Sequence, residues 1–178
     1  MAGRLAARLG ARHIELDALH WDPNWTEAPW DVFRERLAPA LATDRWVVDG
    51  NYSRVRDLTW GRADTLVWLD YPLLLTLVRL TRRTIRRVVR RELLWNGNRE
   101  RLWVQFTRDS LFVWALTTHA RRRREILASL ADPAFTHLTT VRLRSPRQAA
   151  KWLSAVAPAL AAAPAPMARA ESAPPPPH

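Results

Sequence analysis

Trp46-Val47-Val48-Asp49 and Thr65-Leu66-Val67-Trp68-Leu69-Asp70 are β-branched and aromatic runs that each end on a carboxylate. A third run, His13 to Leu16, ends at Asp17. Strands buried on both faces of a parallel sheet read as apolar runs, and ligands gather at their carboxyl ends, so an aspartate there faces a crevice. This pattern fits a phosphate-handling α/β enzyme. Phosphoryl transfer asks for clamped phosphates, a placed magnesium ion and an aligned acceptor, with little covalent work from the protein. Asp49 suits a magnesium-bound water, because that cation keeps several of its waters. The competing role for Asp49 is a turn former ahead of Gly50. Asp70, before Tyr71-Pro72, fits a structural cap better than a ligand contact.

Anion-binding groups are concentrated elsewhere in the chain. Of 28 basic residues only Lys151 is a lysine, against 17 acids, giving a net charge of +11 and a pI near 11.6. Arginine keeps its charge and grips phosphate with a planar fork, although coding bias toward arginine, alanine and proline accounts for part of the excess. Clustering is more telling. Arg79, Arg82, Arg83, Arg86, Arg87, Arg90 and Arg91 fall within thirteen residues that hold no acid. Such a face repels itself unless an anion meets it or solvent screens it. Arg121 to Arg124 form a second cluster that points all ways around its helix and reads as surface, with weak nonspecific nucleic-acid contact as its most specific role.

Elements that would position these residues follow from periodicity. Ala2 to Leu9 predicts a helix stopped by Gly10, and Trp30 to Ala42 a second with Val32, Phe33, Leu37 and Leu41 as its apolar stripe. Between them, Ala18 to Pro29 is a loop containing Trp21 and Trp25, which with Trp30 can cover an acceptor pocket or simply pack the loop. Leu73 to Arg91 predicts a long amphipathic helix with a cationic face. Asn96-Gly97-Asn98 is a turn suited to movement over substrate. Helices from Glu100 to Ala115 and from Thr118 to Leu130 follow, nearly continuous. Leu138 to Leu143 is the last strand, and Ser145 caps a last helix through about Val156 with Pro146 in its first turn. The expected organisation is one domain over residues 1–157, with a helical lid near 80–120, and a disordered alanine- and proline-rich tail at 158–178. Without cysteine, metal-ligand spacing, a spanning apolar run or a signal-type start, a cytoplasmic protein with no membrane partner is expected.

The order of these motifs resembles the adenylate-kinase-like P-loop NTPases, in particular the bacterial DNA topology modulation proteins. The resemblance rests on His13-Ile14-Glu15-Leu16-Asp17 with Leu19-His20-Trp21, on Asp49-Gly50-Asn51-Tyr52 and on Leu69-Asp70-Tyr71-Pro72. Leu94-Trp95-Asn96-Gly97-Asn98-Arg99-Glu100 and Arg142-Leu143-Arg144-Ser145-Pro146 complete it. It implies a three-layer α/β fold with a parallel sheet flanked by helices, and ATP-dependent transfer of phosphate to a nucleotide or other small acceptor, with ATP and Mg2+ as cofactors. It places Asp17 at the acceptor, Asp49 by the metal, and Arg83, Arg87 and Arg99 in a lid over the transferring phosphate. Trp21, Asn51 and Tyr52 would meet substrate, and Arg144, Ser145 and Pro146 the nucleotide. One part of the pattern is missing. Relatives begin with a strand and a Gly-x-Gly-Lys-Ser/Thr loop that cradles phosphate, whereas here Ala2 to Gly10 matches the helix after that loop. An N-terminally truncated, catalytically silent member is therefore expected. Its missing strand would leave a gap near 10 Å wide between the strands that end at Asp49 and Asp70, or let them close on each other. The alternative is a non-catalytic protein that meets nucleic acid through its basic surface and affects DNA topology.

Overall fold

A computed structural model of the chain describes residues 1–98 and 111–161. Its elements are α1 (Ala2–Leu9), β1 (Arg12–Glu15), α2 (Leu16–His20), β2 (Trp21–Asp22), β3 (Thr26–Glu27), α3 (Trp30–Ala40) and β4 (Trp46–Asp49). Then come α4 (Arg56–Thr59), β5 (Thr65–Leu69), α5 (Leu73–Val89), α6 (Leu111–Leu130), β6 (Thr139–Leu143) and α7 (Pro146–Ala161). Arg99, expected in the lid, lies outside the described residues, as do the start of the helix expected from Glu100 and residues 162–178.

The architecture is mixed α/β with small parallel sheets. β1 pairs with β4 from Arg12↔Trp46 to Glu15↔Asp49, and β5 pairs with β6 from Thr65↔Thr139 to Leu69↔Leu143, both in parallel. β2 and β3 form a separate antiparallel ribbon. β4 and β5 belong to different sheets and share no ladder, so each keeps an edge without a strand partner among the described residues. Helices join the pairs instead. α1 packs on β1 and β4 and also on α7, which lies against β6, and the Arg8 guanidinium donates to the Leu153 carbonyl at 2.8 Å.

The core sits under the first pair. Ile14 and Leu16 meet Phe33, Leu37, Ala40 and Leu41 on the inner face of α3, with Val55 closing the end. In the second pair, Trp68 and Leu143 are buried and Arg142 lies over the Trp68 ring at 4.6 Å. Arg142 also pairs with Asp70, whose other oxygen meets Arg123 at 3.3 Å. Asp70 thus ties β6 and α6 to the end of β5.

Three expectations need correction. β1 stops at Glu15, and Asp17 stands in the first turn of α2, because Leu16 turns into the core and starts a helix. The last helix continues past Val156 to Ala161, with Pro158 within its final turns. On α5 the apolar side divides. Leu77 and Val88 are half-buried beside the fully buried Thr84, but Leu74 and Val89 stand 74% and 75% exposed. Removing the Phe33 ring, which is wholly buried, is expected to cost about 3–5 kcal/mol in urea unfolding. A loss below about 1 kcal/mol would show that this cluster is not the principal core.

Candidate functional site

Beyond β4 the chain makes a turn that only glycine fits. Gly50 has φ +127°, and a Cβ there would lie 2.9 Å from the Leu16 Cβ, closer than carbon atoms approach without one of them shifting. That close pass delivers Asn51 and Tyr52 beneath α2. The Tyr52 hydroxyl donates to Asp17 Oδ1 at 2.6 Å. Burial first, and then the bond to Asp17, push the Tyr52 phenol well above its ordinary range.

An aromatic box surrounds this contact. His20, 2% exposed, stacks with Trp30 at 5.1 Å and packs against Tyr52 at 4.8 Å, Phe33 at 5.1 Å and the edge of Trp21 at 5.2 Å. Its Nδ1 is buried without a hydrogen-bond partner, and its Nε2 lies 4.0 Å from Glu27.

Beside the box, Trp30, Asn51, Tyr52 and Ser53 line a hollow of about 180 Å³ together with Arg54, Arg56, Arg122 and Glu125. Arg54 covers the Trp30 ring at 4.9 Å. Arg56 donates through Nε to Asn51 Oδ1 at 3.1 Å and through a terminal nitrogen to Ser129 Oγ at 2.6 Å, over the Trp60 ring. Burial draws Arg56 and Arg122 below the usual guanidinium value, and Glu125 opposes that in both. Both stay cationic at any working pH. Three guanidiniums facing one carboxylate leave a positive hollow at the carboxyl end of a parallel strand, suited to a phosphate or carboxylate attached to a flat ring.

A second group lies along the strand ends. Glu15 and Asp49 are register partners, with His13 Nε2 3.9 Å from Asp49 and His13 Nδ1 3.6 Å from Glu15. Trp95 donates its indole N–H to Glu15 at 2.6 Å and carries the Arg87 guanidinium over its ring at 5.9 Å. Arg87 is thereby brought toward Glu15 at the end of β1, whereas Arg83 stands exposed on α5.

The turn expected to move is pinned. Asn96 donates to the Trp21 carbonyl at 2.6 Å, and Asn98 donates to the Asp22 carbonyl at 2.9 Å. Asn98 also accepts from the Trp25 backbone N–H at 3.0 Å. Trp25 has φ +58°, a strained value for a bulky residue that needs such outside support.

Of the residues singled out in the sequence, Asp17, Trp21, Asn51 and Tyr52 come together, although Trp21 adjoins the hollow without lining it. Asp49 occupies the rim, its side chain 59% exposed. Arg144, Ser145 and Pro146 lie at the end of the other strand pair and build the start of α7: Ser145 Oγ accepts from the Gln148 N–H at 3.2 Å, and the Arg144 N–H donates to Gln148 at 2.7 Å. Arg122, read as surface, turns into the hollow. Arg54, Arg56, Ser53 and Glu125 were not singled out. The one local signal for Arg54 and Arg56 is their place just after a strand end.

Asp49 with neighbouring Glu15 could receive a magnesium ion that arrives with phosphates. Among the described residues, no group of three or more histidine, aspartate or glutamate side chains could hold a metal ion. The residues present do not fit ATP. No glycine-rich lysine loop exists in the 178 residues, and Lys151 lies on α7.

Ultraviolet difference titration of the protein against Tyr52→Phe isolates this phenol among the two tyrosines. It is expected to stay protonated past its ordinary value of about 10, and Asp17→Asn is expected to bring its ionisation down. Since the folded state favours the neutral phenol, the stability it contributes is complete below about pH 10 and is lost as pH rises further. Ionisation of Tyr52 at the ordinary value would show that the Asp17 contact is not formed.

No family model, curated protein or solved structure matches this chain.

Proposed function

We propose that this chain is the acceptor-binding part of an ATP-dependent phosphotransferase of the nucleotide or small-molecule kinase type, built on a P-loop NTPase plan with a three-layer sheet. These residues form the part that binds the acceptor. The observation that carries this reading is the hollow at the end of β4, with Arg54, Arg56 and Arg122 around a floor of Trp30 and Tyr52. In it, Arg56 and Arg122 hold the acceptor's phosphate, and Arg54, lying over the Trp30 ring, borders the acceptor's ring. The Tyr52 bond to Asp17 fixes the wall between them. Asp49 and Glu15 stand along the neighbouring strand ends, where a metal-bound phosphate would approach. The order of motifs and the two parallel strand pairs agree with that plan. DNA topology modulation would then follow from acceptor chemistry or from the basic surface.

A non-catalytic nucleic-acid role draws on the exposed Arg82, Arg86 and Arg90 of α5 and predicts steeply salt-dependent affinity for duplex DNA.

Calorimetric titration with a nucleoside monophosphate and with the matching nucleoside distinguishes the readings. The monophosphate is expected to bind, and Arg122→Gln or Arg56→Gln to weaken it about tenfold or more, the worth of a charge-assisted hydrogen bond at about 1.5–3 kcal/mol. Equal affinity for nucleoside and monophosphate, or no effect of either substitution, rejects the acceptor site. Tight duplex binding without nucleotide binding favours the second reading.

A further inference from the structure

The outer side of α5 carries two stripes that the proposed acceptor site does not use. At 3.6 residues per turn, Leu74, Val78, Ile85 and Val89 fall within an arc of about 60°, all exposed, and Leu93 continues the row past the helix end. Arg82, Arg86 and Arg90, exposed as well, form the adjoining stripe. A surface helix normally turns its aliphatic residues inward. Here the inward side is centred on Thr84 and rests on α6, and the aliphatic row faces outward next to the cationic one.

We infer that this face docks on an anionic lipid bilayer, with α5 lying in the plane of the interface. Charge decides among the occupants. A second copy would bring two arginine rows together with few acids, since Glu92, already beside Arg86 at 3.3 Å, is the only acid from Leu73 to Leu94. Nucleic acid satisfies the arginines but gives an aliphatic row nothing to bury against; single strands are held by aromatic stacking, and duplexes by polar contacts. A bilayer of anionic lipid satisfies both stripes at once: aliphatic side chains enter the headgroup boundary while guanidiniums meet lipid phosphates. No described helix is long and apolar enough to cross a membrane, and docking of this kind requires none.

Co-sedimentation with phosphatidylcholine vesicles, with and without about a third phosphatidylglycerol, tests the assignment. The protein is expected to partition onto the anionic vesicles only. Val78→Ser/Ile85→Ser/Val89→Ser is expected to lower partitioning about tenfold or more, and Arg82→Gln/Arg86→Gln/Arg90→Gln to weaken it and flatten its salt dependence. All six residues are exposed, and a far-ultraviolet spectrum checks that each variant folds. The inference is overturned by absence of partitioning, by partitioning that survives loss of the aliphatic row, or by self-association that vanishes with that row while vesicles stay empty. Duplex DNA that displaces the protein from vesicles, and binds the serine variant undiminished, also overturns it and assigns the face to nucleic acid.

Discussion

Among the described residues no backbone hydrogen bond crosses from β4 to β5, and side chains hold the two parallel pairs in one body. In an unbroken sheet, ladders carry that load and satisfy each interior N–H and C=O. Here α1 performs it by packing across β1, β4 and α7, with Arg8 fastened to the Leu153 carbonyl. Exposure along β4 and β5 follows: Trp46, Val47 and Val48 are only half-buried, as are Thr65, Leu66 and Val67. Open edges of this kind are templates for further pairing. The better-buried cluster around Phe33 lies on the side of the first pair that α3 covers completely.

The candidate site belongs to that better-packed half. Gly50 passes so close to Leu16 that the segment after β4 has one route, and Tyr52 lands where Asp17 can hold its hydroxyl. Asparagines of the Trp95–Gly97 turn secure the ribbon from outside and support the strained Trp25. Aromatic packing, one tyrosine–carboxylate bond and two asparagines thus fix the wall of the hollow, and its arginines need little reordering when an anion arrives. Preorganisation of that sort lets a small cavity bind without a large ordering cost.

Much of this was legible along the chain, and the failures have physical causes. Gly10 in the left-handed region ends α1, and Ser145 caps α7, because both signals are local and depend on one or two residues. The four strands of the parallel pairs were legible as β-branched and apolar runs, but their pairing was not. Asp17 was misplaced because Ile14 and Leu16 alternate like a strand while Leu16, Leu19 and His20 also suit a helix, and only contact with α3 decides between them. Arg122 was misread because four consecutive arginines carry no directional signal; its half-burial comes from α6 passing over Arg56 and Asn51. The outward row on α5 could not be read at all, since periodicity reports that a helix has two sides and not which one the fold will cover.

Arginine's several tasks in this molecule are separated by what surrounds each guanidinium rather than by the guanidinium itself. Where a carboxylate is in reach the arginine is structural: Arg34 forks onto Asp57 and holds it below the usual carboxylate range, Arg36 grips Asp22, and Arg142 and Arg123 share Asp70. These pairs absorb acids, so the excess cation appears where acids are scarce. In the hollow that excess is half-buried beside aromatic rings, and burial raises the attraction of an incoming phosphate by lowering the local dielectric. On the outer side of α5 the excess of Arg82, Arg86 and Arg90 is exposed, where one isolated contact is worth little, so recognition there needs many weak contacts made together with burial of the neighbouring aliphatic row. On the readings proposed above, a small phosphorylated ring answers the first environment and an extended anionic surface the second, and neither ligand suits the other place.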